Sequence, residues 1–485
     1  MKKDSPFIHA FKTCGSYYVF DVNTNTIIKT TKKNYDSLKS IEKSEWSNDL
    51  ADAEADAFIQ KMKSRGFLSA NRVKEILHPA TRYLDSYLES GVQKICLQVT
   101  QQCNLRCEYC VYSGNYTNRS HTNARMSFET ARKAIDFLIE HSRGIEDTNI
   151  SFYGGEPILE FELMKKCILY ALQASEGKTV TFNLTTNGTL FTKDIIEFFR
   201  QYNVHITISL DGPREVHNKN RRFAAGGGGT FDKIMQNLMY ISDNYEEYFK
   251  EKVAFNLVLD GDSDFTCVNS FFTSYEVIKD SMVRASYISE NYAKFQIDKN
   301  EENDIQTDYE LFKLYLSKLD RLDNCYVSKL VEQKYNYIKD YLADARYRTV
   351  SLSETAHPGG PCIPGVLRLF VDVNGSLYPC ERVDENSDLM KIGNLEEGFY
   401  KEKIERILNI GKLTEGSCRN CWAFHYCSVC AAVADDNGEL SAAKKLSKCN
   451  AVRNGLEKNM INYCILKEYG HNFEENKVFL MAEVK

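Results

Sequence analysis

The strongest constraint on the fold is a repeated exchange of strand-like and helix-like segments after Gln93. Residues 95–100, 148–152, 180–186, 205–210 and 253–259 read as strands, and 285–288 as a sixth. Between them, 127–141 sets Phe128, Ala131, Ala134, Ile135, Leu138 and Ile139 at helical spacing, and 230–241 reads as a helix opened by a capping threonine. Residues 309–319 and 327–343 also read as helical. Such alternation predicts parallel strands with helices outside, an α/β architecture that is an open sheet or a barrel.

The flanks differ from this middle. Residues 17–21 and 26–29 are short β-rich runs around Asn23, Thr24 and Asn25, a hairpin signal; helical patterns follow at 34–44 and 51–64, where Phe58, Ile59 and Met62 share a face before Gly66. These predict a winged-helix-like module over residues 1–84, with a small decoration of the next domain as the alternative. From about residue 350, runs at 368–373 and 376–378 flank Asn374-Gly375, a second hairpin signal. The expected domains are therefore 1–84, 85–345 and 346–485.

No stretch approaches the ~18 apolar residues that span a bilayer, and the first residues lack the apolar core of a signal peptide, so the chain is expected in the cytoplasm, away from membranes. A formal charge of −6 argues against nucleic-acid binding through bulk charge. Sixteen cysteines in a reducing compartment point to metal ligation or catalysis. Cys14, Cys96, Cys167, Cys267, Cys325 and Cys464 stand alone and read as small buried hydrophobes. Cys103, Cys107 and Cys110 form a tight group just after the first barrel strand, at the edge where active sites of such folds gather. Three thiolates at CxxxCxxC spacing suit three irons of a cubane cluster, leaving the fourth open to a small molecule. The alternative is a zinc knuckle lacking a ligand, and no nearby histidine has zinc-finger spacing.

On these residues the chain resembles the radical S-adenosylmethionine (AdoMet) enzymes. The loop matches that superfamily's signature, with Tyr109 before the last cysteine. Gly154, Gly155 and Glu156 match the segment that receives the methionine amino group, while Ser209 and Arg221 match positions on the ribose and carboxylate side of AdoMet, with Arg222 as the alternative to Arg221. The resemblance implies a partial (β/α)6 barrel, and a reduced cluster that cleaves AdoMet to a 5′-deoxyadenosyl radical, which abstracts hydrogen from a substrate.

The C-terminal cysteines resemble a SPASM domain, which carries two auxiliary four-iron clusters. The resemblance assigns Cys418, Cys421, Cys427 and Cys449 to an outer cluster and Cys362, Cys380 and Cys430 to an inner one. The gap between Cys427 and Cys430 is two residues where three is commoner. Some relatives supply a fourth inner cysteine where this chain has Arg368, so the inner cluster either keeps an open iron or is closed by Cys325 or Cys464; structural zinc is the remaining alternative. Three [4Fe–4S] clusters and AdoMet are thus the implied cofactors.

Enzymes of this kind act on peptides, and the opening FIHAFKTCGSYYVFDVNTNTIIK resembles maturases of cysteine-rich ribosomal precursors, of the SCIFF or ranthipeptide type, that install thioether crosslinks. The N-terminal module is then expected to capture a precursor's leader by strand addition, and a ferredoxin or flavodoxin to supply electrons. The alternatives are oxidation of a Cys or Ser to formylglycine, as in sulfatase maturases, epimerisation, or carbon–carbon crosslinking. Sulfatase maturases carry Asp after the equivalent of Cys380, where this chain has Glu381. A non-catalytic electron carrier or peptide-binding scaffold would not need the AdoMet segments.

Overall fold

Near the start of the chain, alternating side chains serve two different cores and produce an antiparallel meander of β1 (Ile8–Lys12), β2 (Tyr17–Asp21) and β3 (Thr26–Thr30). A computed structural model describes residues 5–43, 53–175, 177–296, 300–343, 351–359 and 362–473. The expected hairpin gains β1 as a third strand. On one face Ile8, Val19 and Ile28 pack with Leu38 of α1 (Lys32–Glu42) and Ile59 and Met62 of α2 (Ala53–Ser64). On the other face Phe11, Tyr18 and Phe20 join the main core. That second face meets the C-terminal region: His9 stacks on Trp422 with ring centroids 3.7 Å apart, and the Tyr18 hydroxyl donates to Glu468 at 2.6 Å. The helix ends expected at Ser44 and Ala51 lie outside the described residues.

A short strand, β4 (Glu75–Ile76), and α3 (Leu84–Ser90) lead into the central sheet. Its parallel strands are β5 (Lys94–Thr100), β6 (Asp147–Gly154), β7 (Thr179–Thr186), β8 (His205–Ser209), β9 (Val253–Leu259) and β10 (Met282–Tyr287), each hydrogen-bonded to the next in chain order. The intervening helices include α4 (Phe128–His141), α5 (Phe161–Ala174), α6 (Lys193–Gln201), α7 (Arg214–Asn220) and α8 (Phe231–Asn244). Ser127 caps α4 by accepting the Thr130 N–H at 3.0 Å, as Ser does at this position.

The threonine expected to cap α8 does not do so. The Oδ1 of Asn218 on α7 accepts the N–H groups of Thr230 and Phe231, at 2.8 and 3.0 Å, which releases the Thr230 hydroxyl to meet buried His217 Nε2 at 2.9 Å. One helix thus caps the next, and the cap lies about twelve residues away in sequence, beyond local reading.

After β11 (Thr355–Ala356), which pairs with β4, the chain returns to the sheet. β12 (Leu369–Val371) lies parallel to β5, with Phe370 opposite Cys96, and turns through Asp372 and Gly375 into antiparallel β13 (Ser376–Tyr378). Gly375 has φ +87, a value the turn requires and glycine adopts without strain. The expected second hairpin therefore extends the barrel sheet, which reaches ten strands among the described residues with β14 (Gly393–Asn394) and β15 (Gly398–Phe399). The expected domain boundary at 345–346 lies outside the described residues.

Among the lone cysteines, Cys96, Cys167 and Cys464 are buried, but Cys14, Cys267 and Cys325 are exposed. They sit in the β1–β2 turn, the first turn of a helix capped by Asp264, and a short turn capped by Asp323, where local geometry faces solvent. No helix among the described residues is long and apolar enough to cross a membrane.

Burial lowers the pKa of His217 from 6.5 to about 4, keeping the ring neutral while Nδ1 accepts the Asp211 N–H at 3.2 Å. The unfolded chain then takes up the proton first. The stability this supplies is complete above pH 6.5 and is lost as pH falls towards 4, by ~3 kcal/mol. Urea midpoints should therefore fall more steeply between pH 7 and pH 5 for the native chain than for His217→Gln.

Candidate active site

The loop after β5 is set in place chiefly by main-chain contacts. A Cβ on Gly154 would lie 2.0 Å from the Thr100 carbonyl oxygen, and one on Gly155 would lie 2.1 Å from that of Gln102. The end of β6 thus packs backbone to backbone beneath the residues that launch Cys103, a proximity glycine alone permits. Along the other side, residues 104–108 pair with 220–224: Arg106 N–H donates to Arg222 O at 2.9 Å, Glu108 N–H to Asn220 O at 3.2 Å, and Ala224 N–H to Asn104 O at 2.9 Å. Cys103 accepts the Leu105 N–H at 3.3 Å, and Cys110 accepts the Tyr112 N–H at 3.5 Å.

The same pairing carries Arg221 alongside Cys107, while Arg222 points outward. Arg221 is buried and binds Asp211 through Nε at 2.8 Å and Nη2 at 3.3 Å, with its guanidinium 5.3 Å from the Tyr109 ring centre. The Tyr109 hydroxyl donates to the same carboxylate, and Asp211 Oδ1 also accepts the Val258 N–H at 3.1 Å. Asp211, two residues after Ser209, is therefore the hub that the sequence reading missed. Ser209 lies at the end of β8, opposite Asn256.

Glu156 makes its side-chain hydrogen bonds within the protein. It is fully buried, and its carboxylate accepts Thr186 Oγ1–H at 2.7 Å, Asn187 N–H at 2.8 Å and Ile158 N–H at 3.0 Å. Burial raises it to about 6, against the pull of those donors. It therefore ties β6 to the end of β7 and acts as a positioning residue. Asn187, held this way, sends its amide to Asn104 Oδ1 at 2.8 Å and approaches Cys103 Sγ at 3.9 Å.

Burial is also the leading influence on the loop thiols, pushing Cys103 up to about 12, Cys107 up to about 11 and Cys110 upward. Without a cation these groups are neutral thiols, and iron would replace their protons. The donor set and the glycine-built bed beneath it fit a cluster held by Cys103, Cys107 and Cys110. Among the described residues no group of three or more His, Cys, Asp or Glu is gathered to hold a single metal ion. A four-iron cluster spreads its thiolates over separate irons.

The pairing of β12 with β5 brings the C-terminal cysteines to the barrel. Cys380, just after β13, is pushed up to about 11 by burial and by the Glu381 charge, with Cys430 close enough to add to it; Cys362 and Cys430 are exposed. Arg368 pairs with Glu381 at 2.5 Å. Cys464 lies beside Tyr18 and Glu468, and Cys325 in a surface turn, so neither accompanies Cys380. Cys418, Cys421 and Cys427 gather in a separate loop, and Cys449 begins the helix Cys449–Glu468. Gly359, at φ +55, packs so tightly there that a Cβ would lie 1.8 Å from the Cys427 carbonyl oxygen.

Further polar groups face the interior between the two cysteine sets. Lys94, Cys96 and Gln98 alternate along β5, a period-two signal hidden within an apolar strand. Gln98 donates to Tyr112 at 2.9 Å and to Glu385 at 2.8 Å. Arg119 is buried with Nε 2.6 Å from Glu385, and its Nη1, like Glu381 Oε2, has no hydrogen-bond partner among the described residues. Nothing local in the sequence marks Arg119 or Glu385.

Comparison with known proteins agrees with this geometry. Residues 97–268 match the Radical SAM superfamily. A cysteine-type anaerobic sulfatase-maturating enzyme of Clostridium perfringens is 25% identical over 372 residues, 73% of this chain and 92% of that enzyme. The radical SAM cyclopropyl synthase TigE of Paramaledivibacter caminithermalis is 25% identical over 229 residues, 44% of this chain and 46% of TigE. The chain spans about half the length of some of the curated relatives it matches. Solved structures of native anSMEcpe share the fold, one with bound AdoMet and one with bound AdoMet and a Cp18Cys peptide. Their TM-scores are 0.55 and 0.54 at 20% and 19% identity, over 76% and 77% of this chain and 99% of theirs.

Replacing Gly155 with Ala should displace the start of the cysteine loop. Anaerobically reconstituted Gly155→Ala is expected to lose about four irons per chain, one cluster's worth, with unchanged far-UV circular dichroism; full iron content would refute the backbone argument.

Proposed function

With a radical SAM domain at residues 97–268, we propose that this protein is a peptide maturase that installs thioether crosslinks in a ribosomally made, cysteine-rich precursor. When loaded, a four-iron cluster and AdoMet supply a one-electron cleavage that yields methionine and a 5′-deoxyadenosyl radical able to take hydrogen from a substrate carbon. Cys103, Cys107 and Cys110 would hold that cluster. Tyr109, Asp211 and Arg221 stiffen its flank, and Ser209 lies at the strand end where AdoMet would rest.

The observation that carries the thioether reading is the inner cysteine set. Cys362, Cys380 and Cys430 provide three thiols, Arg368 stands where a fourth would come, and Cys325 and Cys464 lie elsewhere. A cluster so held would keep an iron for a substrate cysteine. Glu381, beside Cys380 with a buried oxygen that has no hydrogen-bond partner among the described residues, would take that cysteine's proton. Arg119 Nη1, also without a hydrogen-bond partner among the described residues, would offer a donor to a peptide carbonyl in the same interior. Carbon–sulfur bond formation would send the carbon's hydrogen atom to 5′-deoxyadenosine, the sulfur's proton to Glu381, and the one remaining electron to the cluster that Cys362, Cys380 and Cys430 would hold.

The N-terminal sheet ends in β3, whose outer edge suits capture of a leader by strand addition. Its opposite face rests on the C-terminal region through His9 and Trp422, which would tie a bound leader to the outer cysteine set, Cys418, Cys421, Cys427 and Cys449. In this reading the chain works in the cytoplasm with a ferredoxin or flavodoxin as electron donor. Formylglycine formation is the second reading, favoured by the long alignment with the Clostridium perfringens enzyme.

Coexpression with a short cysteine-rich reading frame adjacent to the gene tests the choice. Thioether chemistry gives a peptide that loses two hydrogens per crosslink and one alkylatable thiol each time. An aldehyde in place of a cysteine would select the second reading. The reconstituted protein should contain about twelve irons and release 5′-deoxyadenosine under dithionite. Cys103→Ala, Cys107→Ala and Cys110→Ala combined should end that release and leave about eight irons.

A further inference from the structure

Among the described residues, Lys445 is the only buried lysine, at 3% exposure. It sits on the short helix Ala442–Ser447, which Ser441 caps by accepting the Lys444 N–H at 3.3 Å. Its Nζ donates to Thr414 Oγ1 at 2.6 Å and to Cys418 Sγ at 3.5 Å. Thr414 Oγ1 and Cys418 Sγ are 3.2 Å apart, and against a thiolate sulfur, which only accepts, the hydroxyl donates while one of its lone pairs takes the ammonium.

Neighbouring lysines on the same segment behave differently. Lys444 meets Asp436 at 2.9 Å and Lys448 meets Glu290 at 2.8 Å, both at the surface. No carboxylate among the described residues pairs with Lys445, whose polar partners are a hydroxyl and a thiol. A buried ammonium without an anion is costly, and buried charges in folded proteins are paired or serve a metal centre. A four-iron cluster bound by four thiolates carries net negative charge, with one charge more after reduction, so it is the anion this lysine lacks.

We propose that Lys445 is the buried counter-ion of the outer cluster and raises its reduction potential, through its charge and through the two hydrogen-bond donors, Lys445 and Thr414, at Cys418 Sγ. The inference rests on the assignment of Cys418, Cys421, Cys427 and Cys449 to that cluster. Hydrogen bonds to ligand sulfur and local charge are the levers by which a protein sets such potentials. The placement also ties folding of this region to cluster loading, because removing the cluster strands the ammonium.

The test uses full-length protein lacking the loop cysteines, so that only auxiliary clusters report, with Lys445→Met and Lys445→Arg variants. Potentiometric titration followed by electron paramagnetic resonance should show one midpoint falling in Lys445→Met by about 59 mV or more, the one-electron equivalent of a tenfold change, and staying near the original value in Lys445→Arg. The other auxiliary midpoint should not move. Loss of the outer signal in Lys445→Met but not in Lys445→Arg would equally support a counter-ion. Chelation should lower the melting temperature less in Lys445→Met than in the parent. An unchanged midpoint with full auxiliary iron overturns the proposal, as would equal effects of Met and Arg. If the parent binds no auxiliary iron, it is the cluster assignment that fails.

Discussion

Main-chain contact between the glycines at 154 and 155 and the carbonyls of Thr100 and Gln102 decides where the cysteine loop begins. The end of one strand serves as a floor for the loop leaving its neighbour, and any side chain there would lift that loop off the sheet. The remaining supports extend the same principle. Residues 220–224 clamp the loop's outer edge by hydrogen bonds of the β kind, and buried Glu156 locks the floor to the end of β7. The three thiols are thereby held by backbone and by buried carboxylates, close enough that charge on one raises its neighbours.

A second dependency lies on the open edge of the barrel sheet. An unpaired edge strand is a liability, and here β12 covers β5 in parallel. The step that closes the edge also carries Cys380, Glu381 and Arg368 to the inner face of β5, so covering the edge and furnishing the interior are one event. Similarly, the N-terminal meander turns one face to its own helices and the other to Trp422 and the last helix. A small sheet with two apolar faces cannot remain a free module.

Much of this was legible in the chain's periodicities. The parallel strands, α4 with its Ser127 cap, the hairpin at Gly375 and the cysteine groups all follow from local pattern, because turn chemistry and burial periodicity act over a few residues. What escaped was non-local. Asn218 caps a helix other than its own, β1 is fixed by pairing with β2, and Asp211 and Arg119 are ordinary charged residues until partners from distant strands surround them. The bonds by which Glu156 ties one strand end to the next were equally beyond local pattern.

By itself, then, the amino-acid order determined the alternation of strand and helix, the spacing of thiols and the glycines at positions that tolerate no side chain, since each depends on neighbours in the chain. Only the tertiary structure decided which charges meet: buried Arg221 with Asp211, half-buried Glu381 with Arg368, and buried Lys445 against Cys418. Burial of a charge depends on what the rest of the molecule packs around it, and that information is spread over hundreds of residues, out of reach of any local pattern.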